Sequence, residues 1–168
     1  IVTFGIGHAA FSADSLVRLP WYHKDTDVPA TEAQIRNEWA AVRDNKMLAK
    51  HGMFNGHAAA FTRLRLTGEA VYEDTRTVLK YHHKELVEQY PRFEEWPLDG
   101  QWATHSMAWA CGEAFSEPGP NRFTRLAKQL AVLGDGDGDF ASAAIECHMN
   151  ETGNPGLKPR NVANKMMY

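Results

Sequence analysis

The chain is poor in cysteine, with Cys111 and Cys147 alone among its 168 residues. Their spacing fits neither a disulfide framework nor a zinc-ligand pattern, so we interpret both as free thiols buried on helices. No apolar run approaches the roughly 20 residues that cross a bilayer, which predicts no membrane insertion. No signal peptide is visible, but the chain opens without Met inside an apparent strand, so we expect it to be cut from a longer protein.

Strong charge of either sign is also lacking. The formal net charge is −3 and the sequence pI is about 6.2, which argues against a nucleic-acid partner because phosphate binding needs a basic face. The motifs H-E-x-x-H, G-x-S-x-G and the phosphate-binding P-loop are absent, so we predict no metal and no cofactor. The length fits one domain, and 43% hydrophobic residues are enough to form a substantial core.

The hydrophobic periodicity predicts a mainly helical α+β chain with its β-structure at the amino-terminal end. Residues 9–30 are expected to form an irregular loop. Thr31 and Gln34 make a capping box that starts a helix. Thr67-Gly68-Glu69 opens a long helix that ends just before Pro91. Further helices are predicted over residues 100–110, 121–134, 140–148 and 159–167.

The predicted helix over residues 100–110 has Asp99 as its N-cap and ends at Gly112. Helical spacing places four bulky and small side chains on one of its faces. These are Trp102, His105, Ser106 and Trp109.

Two groups invite a metal interpretation. His82 and His83 lack the second ligand at i+4 that a helical histidine pair needs, so we predict a partly buried His82 and a solvated His83. Asp135-Gly136-Asp137-Gly138-Asp139 and Glu146 fill four ligand positions of an EF-hand, but Phe140 occupies the position that normally requires Gly. We favour an exposed linker with Asp139 as a helix N-cap, and calcium binding stays an alternative.

The first ten residues carry the most informative pattern. Val, Thr, Phe and Ile favour a strand, and the glycines at positions 5 and 7 interrupt it just before His8. Taken alone, this pattern fits a glycine-kinked edge strand with a histidine facing solvent. A bend that brings backbone close to a ligand is the alternative.

Several segments resemble the phage-type lysozymes, glycoside hydrolase family 24. Thr3-Phe4-Gly5-Ile6-Gly7-His8 resembles the T-x-G-x-G-H hairpin of that family, and residues 31–42 resemble the helix that follows it. Residues 101–112, 123–126 and 153–160 are similar to later family segments in the same order. The Trp-Tyr-His-Lys insertion after the hairpin is more similar to lysozyme-like domains at the carboxyl terminus of secreted wall-degrading toxins, such as type VI secretion effectors.

The resemblance implies a two-lobed fold, with a β-hairpin lobe over residues 1–45 and a helical lobe over residues 46–168. It implies hydrolysis of the β-1,4 bond between N-acetylmuramic acid and N-acetylglucosamine. Thr3 matches the Thr that holds the attacking water, and His8 matches a structural His that ties the hairpin to the helical lobe. The substrate-binding residues implied are Gly7, Ala9, Ser106, Trp109 and Arg160.

The chain departs from the family in one respect. The two catalytic carboxylates of the family lie ahead of its Thr, whereas this sequence starts two residues before Thr3. We therefore expect them to lie upstream of Ile1, and residues 1–168 alone to be inactive. The expected protein is a secreted, monomeric antibacterial muramidase acting in the periplasm of a target bacterium, with peptidoglycan strands and an immunity protein as partners. The alternative is a non-catalytic peptidoglycan-binding module.

Overall fold

The computed structural model describes residues 2–51, 57–112, 115, 123–134, 140–152 and 155–168. The described chain is mainly helical, and its β-structure consists of two small antiparallel sheets of two strands each. This confirms the predicted class, α+β with mostly helix. No helix in the described part of the chain is both long and apolar enough to span a membrane.

The chain divides into two compact units, residues 1–77 and residues 78–168. The resemblance implied a lobe boundary near residue 45. The division found here falls later in the chain, within the long helix that the sequence predicts to start at Thr67-Gly68-Glu69.

The first unit contains both sheets. Strand β1 pairs with β2, and β3 pairs with β4, each in antiparallel register. The elements in chain order are β1 (Val2–Phe4), β2 (His8–Ala10), α1 (Asp14–Val17), β3 (Trp21–His23), α2 (Glu32–Arg43), α3 (Lys46–His51), α4 (His57–Phe61), β4 (Leu64–Leu66) and the start of α5 (Gly68–Gln89). The buried centre of this unit consists of Ala10, Leu16, Ile35 and Leu64.

The capping box at the start of α2 is confirmed. Thr31 Oγ1 accepts a hydrogen bond from the Gln34 backbone N–H, and the Gln34 side chain accepts one from the Thr31 N–H. The predicted irregular loop over residues 9–30 is wrong, because β2, α1 and β3 lie within it. Trp21 explains part of this order, since its indole N–H donates to the Leu16 carbonyl at 2.9 Å and its ring packs in the unit's core.

The second unit is built from helices. After the end of α5 it contains a 3-10 turn (Phe93–Glu95), α6 (Leu98–Cys111), α7 (Thr124–Gly134), α8 (Phe140–Glu146), a second 3-10 turn (Pro155–Leu157) and α9 (Lys158–Met167). Its core is larger than that of the first unit. Fully or almost fully buried core side chains include Leu86, Tyr90, Phe93, Met107, Phe115, Leu126, Leu130 and Cys147.

Helix α6 starts earlier than predicted. Its N-cap is Pro97, so Asp99 lies inside the first turn. Its buried face is formed by small side chains and Met107, whereas Trp102 is 54% exposed. Small residues are buried here because neighbouring groups approach closely: a Cβ on Gly100 would lie 2.6 Å from the Phe140 ring. The predicted end at Gly112 is confirmed, with a φ of +83° that glycine adopts without strain.

The remaining sequence predictions have mixed outcomes. Cys147 is buried and Cys111 is only partly buried, and both are free thiols. Burial raises the pKa of both thiols, and Arg160 opposes this rise at Cys111. The predicted linker or calcium segment over residues 135–139 and the first two residues of the helix predicted over 121–134 lie outside the described residues.

Candidate functional site

The β1–β2 hairpin turns through its two glycines. Gly5 has a φ of +56° and Gly7 a φ of +101°, backbone conformations that side chains with a Cβ rarely adopt. The Gly7 N–H donates to the Phe4 carbonyl at 3.1 Å and closes the turn. The T-x-G-x-G-H pattern therefore forms a tight hairpin, with the intervening Ile6 exposed at its tip.

The strand register separates the hairpin side chains onto two faces. Thr3 lies opposite Ala9, so these two side chains share one face, on which Thr3 is exposed. Phe4 lies opposite His8 on the other face, and their rings are 4.9 Å apart. The alternation leaves the Thr3 hydroxyl accessible and packs the histidine towards the core of the unit.

His8 is held by a buried carboxylate on α5. Its Nδ1 lies 2.6 Å from Asp74 Oδ2, and the Asp74 side chain is only 6% exposed. Arg18 approaches the other oxygen of Asp74 at 3.8 Å. Sequence reasoning missed Asp74, although a signal was available: it lies three residues after Val71 on the apolar face of the predicted long helix.

The other predicted site residues lie in the second unit. Ser106 and Trp109 are both half-buried on α6, one turn apart. Arg160 on α9 reaches the backbone carbonyl of Ser106 at 3.5 Å, a contact at the long limit for a hydrogen bond. Within this unit the structure therefore brings Arg160 to the helix segment that carries Ser106, and Trp109 packs edge-on against His82.

A cluster of imidazoles in the second unit was also missed. His83 Nδ1 lies 3.3 Å from His105 Nε2, and His83 Nε2 lies 3.3 Å from Glu94 Oε1. The predicted solvated His83 is partly solvated: its side chain is 40% exposed, and both of its nitrogens contact these partners. The partners are 11 and 22 residues away along the chain, a separation that leaves no periodic signal in the sequence.

The cluster holds His105 in its neutral form. The pKa of His105 is lowered to about 4, first by burial and then by the nearby His83 and His82. Its Nδ1 is buried and has no hydrogen-bond partner among the described residues, so a proton added there would be unsatisfied. Among those residues, no group of three His, Cys, Asp or Glu side chains could hold a metal ion.

We predict that this cluster makes the protein less stable in mild acid. Unfolded His105 takes up a proton near pH 6.5 and folded His105 only near pH 4, so stability falls as the pH drops through this window. Because the side chain is partly exposed, we expect a loss of about 1–2 kcal/mol between pH 7 and pH 4.5. Urea unfolding measures the free energy of unfolding of the wild type and of His105→Gln at both pH values. The loss between the two pH values should be larger in the wild type, and the difference is the contribution of His105.

His148→Gln is the matched control, because His148 is 61% exposed and outside the cluster. This variant should keep the pH dependence of the wild type. Identical pH dependences for the wild type and His105→Gln would contradict the prediction.

Comparisons with known proteins identify no relative of this chain. No protein-family model matches the chain, and no curated protein or solved structure matches it significantly.

Proposed function

We propose that this chain is a lysozyme-like domain that acts on peptidoglycan as a muramidase, hydrolysing the bond between N-acetylmuramic acid and N-acetylglucosamine. We further propose that it serves as a secreted antibacterial effector, active in the periplasm of a target cell and bound by an immunity protein in the producer. The resemblance of the hairpin motif to phage-type lysozymes is the origin of this proposal.

The observation that carries the proposal is the arrangement of the hairpin. His8, the residue matched to a structural histidine, is held by buried Asp74, while Thr3 on the opposite face is exposed. A threonine that orients water must be open to solvent and fixed in direction, and a strand tied to a helix by a buried carboxylate meets both needs. This supports the division of roles between Thr3 and His8.

The remaining residues take the roles that the resemblance implies. Gly7 and Ala9 would contact the sugar through backbone and a small side chain, which allows close approach. Ser106 and Trp109 would contact the glycan from α6, and Arg160 would stabilise the negative charge of a carboxylate. The proposal assigns no catalytic carboxylate among residues 1–168, because no acidic residue matches the family positions.

The test uses purified peptidoglycan sacculi and the complete gene product that contains this chain. Released muropeptides are reduced with borohydride and identified by mass spectrometry. Products with N-acetylmuramic acid at the reducing end are expected, whereas N-acetylglucosamine at that end would indicate a different glycosidase. Co-sedimentation of residues 1–168 with sacculi measures binding separately.

The outcomes separate the proposal from its alternative. Binding without any released product would identify a non-catalytic peptidoglycan-binding module and overturn the enzymatic assignment. Neither binding nor cleavage would contradict both functions.

A further inference from the structure

The first unit contains a cavity of about 330 Å³ beside its core. It is lined mainly by apolar side chains of β1, α2, β3 and β4, including the rings of Phe4, Trp21 and Trp39. Lys24 and Ala59 also line it and are exposed, so the cavity reaches solvent on their side. Because it opens to solvent, this space is a cleft with mainly apolar walls, the type of concave surface on which small ligands bind.

Apart from Thr3, which also lines the cavity, the polar side chains of the wall have partners within the protein. The indole N–H groups of Trp21 and Trp39 donate to the carbonyls of Leu16 and Ala10. Glu38 accepts from the backbone N–H groups of residues 63 and 64. Ordered water needs two to four polar partners, so water in this mainly apolar cleft is weakly held and an apolar molecule can displace it favourably.

The lysine at the mouth of the cavity also has hydrogen-bond partners within the protein. Lys24 Nζ donates to the Ala59 carbonyl at 2.5 Å and to Thr62 Oγ1 at 2.8 Å. An anionic ligand would have to compete with these bonds and would also lie near the Glu38 carboxylate, which lines the same cavity. The walls therefore favour an uncharged occupant.

We propose that this cavity is a binding site for a neutral, apolar small molecule built on one or two rings. Its volume falls within the range of about 300–1,000 Å³ typical of ligand sites. Three aromatic side chains in the wall offer edge and face contacts to a ring, and most polar side chains of the wall are already bonded within the protein, which leaves few partners for a sugar. The cavity shares Thr3 with the hairpin site proposed above, but the binding of an apolar molecule does not depend on that function.

The experiment uses toluene as the probe and the full chain labelled with 5-fluorotryptophan. Saturable ¹⁹F shifts are expected at Trp21 and Trp39, assigned by Trp21→Phe and Trp39→Phe, while the three tryptophans after residue 90 serve as internal references. At tenfold excess over Kd we expect Tm to rise by about 3 °C. N-acetylglucosamine is the polar comparison and should shift neither signal.

Val42→Phe fills the cavity from α2 and should weaken toluene binding about tenfold or more. Leu66→Phe does the same from β4 and replaces it if the first variant does not fold. Val28→Phe is the matched control, because Val28 is exposed and does not line the cavity. The proposal is overturned if toluene shifts neither Trp21 nor Trp39, if both filled variants bind like the control, or if the sugar binds in place of toluene.

Discussion

His8→Phe is expected to lower the free energy of unfolding of the first unit by about 3–5 kcal/mol, although the new ring fits the stack on Phe4. The reason is Asp74, whose carboxylate is nearly inaccessible to water and would lose its 2.6 Å partner. Arg18 is 3.8 Å from the carboxylate and mostly exposed, so it replaces little of the lost interaction. Native-state hydrogen exchange at the β1 and β2 amides measures this effect separately from residues 78–168.

A double variant tests whether the loss of stability comes from the buried carboxylate. In His8→Phe/Asp74→Asn no carboxylate remains without its partner, so it should be more stable than His8→Phe by about 1 kcal/mol or more. Glu73→Gln, one position away, removes an exposed carboxylate 3.7 Å from Arg76 and should change stability by less than about 0.5 kcal/mol. A double variant as unstable as His8→Phe would show that the loss comes from ring packing instead.

Local signals explain which parts of the fold could be predicted. The capping box of Thr31 and Gln34 satisfies donors within four residues, so it forms wherever the helix forms. Gly112 ends α6 through its own backbone preference, and the two hairpin glycines act in the same way. Each of these features depends on residues close together in the sequence. The capping box and the end at Gly112 were predicted correctly, whereas the hairpin turn was implied by the resemblance and the glycine pattern alone fitted a kinked edge strand.

Tertiary packing explains most of what could not be predicted. Helix α6 buries Gly100, Ala103, Thr104, Met107 and Ala108, a face with the correct helical spacing but small side chains. Residue type alone does not identify this face, because large aromatic residues such as Trp102 usually bury more area than alanine. Only close contacts such as Gly100 against Phe140 show which face is buried.

The two polar contacts that the sequence did not predict also depend on tertiary structure. Asp74 lies within an apolar helical face because His8, 66 residues earlier, supplies its hydrogen bond. The contact of His83 with His105 joins two helices, so neither helix predicts it alone. A polar residue at a core-facing position is therefore a useful sign of a distant partner, but the sequence does not identify that partner.

Thr3→Val is expected to lower kcat on peptidoglycan about 10²–10³-fold in the complete gene product, with stability within about 0.5 kcal/mol of the wild type. The substitution removes the hydroxyl proposed to orient the attacking water but preserves the branched shape that suits a strand. Thr3 is exposed on β1, so little folding energy is lost. The measurements are kcat from muropeptide release and Tm from calorimetry.

Thr3→Ser and Thr77→Val complete this test. Serine keeps a hydroxyl at position 3 and should recover most of the turnover, which a purely structural role for the methyl group would not allow. Thr77 is exposed on α5, so Thr77→Val removes a surface hydroxyl and should leave kcat unchanged. If Thr3→Val turns over like the wild type, the hydroxyl has no part in catalysis. If it changes KM alone, Thr3 binds the glycan without orienting water.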